Sequence, residues 1–125
     1  MRDFIKKKLH EGLNEPIDTS KIRIKNTLVN NLTVFIPFYG SERMGAFRLK
    51  PFGENYKIDS TLLYDRYKGQ GLGKGMYKYM ISFLKKQGKK LISDDSQSPE
   101  AQHVWDSLVS DGFAVKNGST YESLI

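Results

Sequence analysis

Residues 68 to 75 read Lys-Gly-Gln-Gly-Leu-Gly-Lys-Gly, four glycines in eight positions with lysines at the first and seventh. Without Cβ atoms, a ligand can approach the peptide N–H groups directly. The preceding run, Tyr56 to Tyr64, reads as a strand, and Met76, Tyr77, Met80, Ile81, Phe83 and Leu84 make one apolar helical face after it. The glycines therefore occupy a strand-to-helix turn. There the first helical N–H groups lack intrahelical partners, and the macrodipole adds partial positive charge. The product is an anion trap suited to a pyrophosphate, with Lys68, Lys74 and the nearby Arg66 contributing charge.

Other glycine motifs fit less well. A nucleotide P-loop, G-x-x-x-x-G-K-[ST], needs a glycine at 68 and a hydroxyl at 75, where the chain has Lys68 and Gly75; no hydroxyl is placed for Mg²⁺. The dinucleotide fingerprint G-x-G-x-x-G ends on Lys74 when started at Gly69 and on Met76 when started at Gly71. A flexible surface loop is the plain alternative, but loops of that kind do not usually sit between two apolar elements.

The remaining chemistry-bearing residues are few. There is no cysteine, hence no disulfide, thiolate site or Cys nucleophile, which fits a cytoplasmic protein. Only His10 and His103 could supply imidazole, so no zinc site assembles at ligand spacing, and His103 reads as half-exposed helix surface. Asp94-Asp95 follows a short strand, as a turn or cap or, second, as a contact for an acceptor amine. Twenty Lys and Arg against fourteen Asp and Glu leave a net charge of +6. That favours nucleic acid, acidic lipid or a polyphosphate ligand without choosing among them.

Elements that hold these residues follow from periodicity. At 125 residues the chain suits one domain with one core. Phe4, Ile5, Leu9 and Leu13 form the stripe of a short basic amphipathic helix from Asp3 to about Leu13, with a linker to residue 20. Charges interrupt every apolar run there, so it does not read as a secretory signal, and no stretch reaches the length of a membrane span. The period then changes to two over Ile22–Leu28, Leu32–Phe38, Met44–Leu49 and Tyr56–Tyr64, with turns at Asn30-Asn31, Tyr39–Glu42 and Pro51–Glu54. This predicts a four-stranded antiparallel meander. After the glycine turn come a helix ended by Gly88, a strand at Lys90–Ser93, and a helix opened by Ser98-Pro99. A hairpin about Asn117-Gly118 closes the chain. The fold class is α/β (α+β): a single domain with a mixed, mostly antiparallel sheet flanked by helices and its core over 21–125.

Leu63-Tyr64-Asp65-Arg66-Tyr67-Lys68-Gly69-Gln70-Gly71-Leu72-Gly73 resembles the acyl-CoA signature of the GNAT (GCN5-related) N-acetyltransferases, V-x-P-x-Y-R-G-x-G-I-G. Lys68 stands for the Arg and Asp65 for the Pro. The order of elements is similar from about Ile22 onward, and Ser93-Asp94-Asp95, Ser98, Ala101 and Val104-Trp105 look like small phage and bacterial members of unassigned acceptor. The resemblance implies acetyl-CoA or another acyl-CoA as donor and a primary amine as acceptor, either a protein lysine or N-terminus or a small amine. The backbone of Lys68, Gly69, Gln70, Gly71, Leu72, Gly73 and Lys74 would hold the pyrophosphate, and that of Leu63 the pantetheine arm.

Family members often place a carboxylate base about four residues before the Leu63 position, which makes Asp59 the candidate catalytic residue. Central-strand burial would raise its pKa toward that of a useful base. Glu54 and a water-relayed base are alternatives. The acid is doubtful: aligning Ala101 with the family's N-x-x-A-x-x-L-Y pattern puts Trp105 at the Tyr. An indole supplies no proton, so Trp105 reads as core and Tyr64, Tyr67 or Tyr121 as substitutes. One helix precedes Ile22 where the family has two, so the acceptor side is open or completed by a partner. The competing reading is a catalytically degenerate binding protein on the same fold. Nucleic-acid binding through Lys6–Lys8, Lys85-Lys86 and Lys89-Lys90 is disfavoured by the lack of interleaved aromatics.

Overall fold

Alternating apolar residues build the first half of the structure, a computed structural model that describes residues 16–124. The helix expected over Asp3 to Leu13 lies outside the described residues. Strands β1 (Ile22–Val29) and β2 (Leu32–Tyr39) pair antiparallel. They join through Asn30 and Asn31, both at positive φ (48° and 69°), the conformation a two-residue hairpin turn requires. A two-residue strand β3 (Glu42–Arg43), absent from the sequence reading, pairs with β2. Strands β4 (Gly45–Phe52) and β5 (Asn55–Leu63) complete the meander.

The second half adds helix α1 (Leu72–Lys85), strand β6 (Leu91–Ile92), helix α2 (Pro99–Ser110), and a hairpin of β7 (Ala114–Asn117) and β8 (Thr120–Ser123). Ser98 caps α2 as expected, its hydroxyl accepting from the Ala101 N–H. The strand order is β1-β2-β4-β5-β6-β8-β7, and only β5 and β6 run parallel. The mixed, mostly antiparallel sheet is the one expected. Phe35, Phe47, Leu49, Ile58 and Leu91 cover one face, where they meet Met80 and Leu84 of α1 and Leu108 of α2. Each such buried side chain contributes about 1.5–3 kcal/mol. Among the described residues no helix is long and apolar enough to cross a membrane, and no cluster of His, Asp and Glu could hold a metal ion.

Two local features shape the region beside the glycine turn. Strand β4 comes so close to β5 that a Cβ on Gly45 would lie 2.0 Å from the Leu62 carbonyl oxygen. Gly45→Ala must therefore push the two strands apart. It is expected to cost about 1–3 kcal/mol, seen as a lower midpoint in urea unfolding. The second feature is a β-bulge. Leu49 pairs with Ile58 and Arg48 with Ser60, which leaves Asp59 as the extra residue on β5. A bulge bends its strand. Strand β5 meets β6 only at Tyr56 and Lys57, and beyond them the two part.

Candidate active site

The parted strands open a cleft of about 870 Å³, bounded by Thr61, Leu62 and Leu63 of β5, the glycine turn and the first turns of α2. The Tyr64 N–H donates to the Met44 carbonyl at 2.9 Å. Peptide groups alternate along an antiparallel strand, so those of Thr61 and Leu63 turn away from β4 and toward the opening. That edge leaves peptide groups free for an extended ligand.

Gly71 caps α1 in the left-handed conformation, φ 76°, where a glycine is favoured for the backbone alone. The N–H groups of Leu72, Gly73 and Lys74 have no partner within the helix, whereas that of Gly75 donates to the Gly71 carbonyl at 3.1 Å. Gly73 is the informative position. Its φ is not left-handed, and a Cβ there would meet no protein atom within 4 Å. Nothing among the described residues requires a glycine at 73, and the space it leaves belongs to the cleft. Gly69, Gly71 and Gly73 all border that space, and Gly75 does not.

The lysines are less available than the sequence suggested. Lys74 bonds to Asp111, tying α1 to the end of α2 and holding the Asp111 carboxyl below the usual carboxylate range. The Lys68 ammonium lies 3.2 Å from Asp65 and 4.0 Å from Glu100, spanning from the turn to α2. Arg66 pairs with Glu42. The backbone amides thus supply much of the cradle's positive character. The side chain of Gln70 has a separate role: its oxygen accepts from the Ile17 N–H at 2.9 Å and anchors the segment before β1.

Asp59 departs from expectation. It is exposed, so the desolvation expected of a central strand is missing, and it does not border the cleft. Strand alternation is the reason. Ile58 faces α1 in the core, so the next residue turns to the opposite face of the sheet. Asp59 stands there at the point where β5 leaves β6.

Of the tyrosines named from sequence, Tyr67 donates its hydroxyl proton to Glu42 at 2.6 Å and Tyr121 to Asp106 at 2.5 Å. Neither borders the cleft, nor does Tyr64. Trp105 is core, 1% exposed, edge-on to Tyr77 and stacked on Tyr121. The tyrosine in the cleft wall is Tyr77, which the sequence reading assigned only to the apolar helix face. Burial pushes its phenol up to about 12, against the opposing effect of a hydrogen bond from Thr61. It lies four residues after Gly73, on the same helical face, and that spacing was the available signal. His103, read as helix surface, also borders the cleft, with Glu100 and Ser98 at the start of α2.

No family model matches the chain, and no curated protein matches it by sequence. Solved structures match it by shape. An IAA acetyltransferase from Bacillus cereus superposes with a TM-score of 0.64 at 10% identity, over 83% of this chain and 99% of its own. A GNAT family acetyltransferase from Elizabethkingia anophelis with acetyl-CoA bound gives 0.64 at 12% identity, over 84% and 99%. A Bacillus subtilis acetyltransferase in complex with CoA gives 0.64 at 11% identity, over 84% and 100%. The chain has the GNAT acetyltransferase fold. Asp65 and Lys68, which stand where the signature has Pro and Arg, form an ion pair with each other. Trp105 of α2 is a core residue, and the cleft wall takes Tyr77 from α1.

Proposed function

We propose that the protein is an N-acetyltransferase that uses acetyl-CoA as donor and a primary amine as acceptor. The observation that carries this reading is Gly73, a glycine no described neighbour requires, opening onto a cleft at a helix N-terminus. The amides of residues 71 to 74 suit a pyrophosphate, and the free edge at Thr61 and Leu63 suits the amide-bearing pantetheine arm. The fold shared with acetyltransferases that bind acetyl-CoA or CoA supports the same reading.

When bound, acetyl-CoA supplies an acetyl group activated as a thioester. The C–N bond forms as the C–S bond breaks, leaving an amide and a thiol. Asp59 takes the proton that the acceptor ammonium must lose, from the sheet face opposite α1. Tyr77 keeps its own proton throughout the neutral range and donates a hydrogen bond into the cleft.

Calorimetric titration with acetyl-CoA, CoA and ATP tests the cleft: the two CoA species bind and ATP binds far more weakly. Acetylated product is then sought by mass spectrometry. Asp59→Asn is expected to lower the transfer rate about a hundredfold while leaving acetyl-CoA affinity unchanged. One observation favours the reading of a binding protein that has lost catalysis: Trp105, at the position of the family's acid, is sealed in the core. CoA binding without any turnover would establish it.

A further inference from the structure

Charge on the sheet face away from α1 plays no part in the cleft. Strand alternation places Arg23 and Lys25 of β1, Arg48 and Lys50 of β4 and Lys57 of β5 on that face, beside Asp59. Lys50 lies directly opposite Lys57, and Arg48 opposite Ser60. Lys57 is buried and bonds to Asp95 at 2.7 Å with its ammonium over the Phe52 ring. Arg23, Lys25 and Lys50 are exposed and make no ion pair among the described residues. A shallow cavity of about 650 Å³ at the β1–β2 end is lined by Arg23, Lys25, Phe38 and Ser41.

Cations placed like this oppose an acceptor whose amine stands among other positive groups. They attract one whose amine is followed by carboxylates, because complementary fields steer encounter and suppress the wrong partner. The span from β1 to β5 is three strand spacings, about 14 Å. An extended peptide of four or five residues covers that distance at about 3.3 Å per residue.

We propose that this face selects an acidic protein segment as acceptor, its amine presented at Asp59 and its carboxylates lying over Lys50, Arg48 and the Arg23–Lys25 cavity. The proposal rests on the acetyltransferase reading above, and it specifies the acceptor that reading leaves open.

Two ten-residue peptides with free N-termini test it on the full chain, one reading Ser-Glu-Glu-Glu-Glu followed by glycines, the other Ser-Arg-Arg-Arg-Arg followed by glycines. Acetyl transfer is followed by mass spectrometry, and binding by fluorescence anisotropy of labelled peptides and of a labelled ten-nucleotide RNA. The acidic peptide is expected to show at least about tenfold higher kcat/KM and tighter binding than the arginine peptide. The Lys25→Glu, Lys50→Glu double variant is expected to erase that preference while binding acetyl-CoA as before. Equal use of the two peptides, preference for the arginine peptide, or tighter binding of RNA than of the acidic peptide overturns the proposal. If acetyl-CoA itself does not bind, the acetyltransferase reading falls, while the anisotropy comparison still decides what this face attracts.

Discussion

Gly73→Val is expected to weaken acetyl-CoA binding by two orders of magnitude or more while the protein stays folded. The two halves of that result have separate causes. A Cβ at 73 meets no described atom within 4 Å and the position is not left-handed, and in a helix valine is no worse than glycine, about 0.6 against 1 kcal/mol relative to alanine. Its unfolding midpoint should match or slightly exceed that of the native chain. Its branched Cβ, however, stands over the amides that begin α1, where an anion has to approach the backbone closely. Gly75→Ala is the control: that glycine also has open space around it but lies outside the cleft. It should raise stability by up to about 1 kcal/mol and leave acetyl-CoA affinity unchanged. If Gly73→Val binds acetyl-CoA as tightly as the native chain, the pyrophosphate does not lie on these amides and the assignment of the cleft fails. Gly71 would be a poorer probe, because its positive φ mixes strain with steric blockade.

The contrast between Gly73 and Asp59 shows what the sequence could and could not reveal. A glycine cluster between a period-two run and a period-3.6 run announces a strand-to-helix turn from local pattern alone. The same is true of Ser98-Pro99 at the start of α2 and Asn30-Asn31 between the first strands. Asp59 was located on the right strand but assigned the wrong surroundings. The extra residue between the Ile58 and Ser60 pairings is a property of β4 and β5 together, and nothing in Tyr56 to Leu63 signals it. The shift leaves that carboxylate without a partner on β4, at the point where β5 leaves β6. Long-range side-chain partners were hidden for the same reason. Gln70 with Ile17 and Lys74 with Asp111 are pairs that only the assembled fold brings together. The charged sheet face was hidden differently. Its cations alternate singly with other residues along separate strands, so no run of like charge marks them, and the visible lysine runs lie elsewhere.

Trp105→Ala is expected to cost about 3–5 kcal/mol, a large part of the roughly 5–15 kcal/mol that holds a domain of this size together. The indole is 1% exposed and joins two aromatic contacts: Tyr77 meets it edge-on at 5.4 Å between centroids, and Tyr121 stacks on it at 5.6 Å. Removing it leaves a void between α1, α2 and β8 that neighbouring helices can only partly close. Thermal unfolding monitored by circular dichroism should therefore show a large drop in Tm, or no cooperative transition at all. Because Tyr77 also forms the cleft wall, any Trp105→Ala protein that folds should bind acetyl-CoA less tightly as well. Trp105→Phe refills part of the space and should recover most of both losses. Trp105→Tyr separates packing from chemistry. It restores the residue type found at this position in the family pattern, yet places its hydroxyl in a core that does not border the cleft, so the transfer rate should not rise. A marked gain in rate from Trp105→Tyr would mean that the side chain at 105 reaches the reacting groups, and Tyr77 would lose its claim as the hydrogen-bond donor.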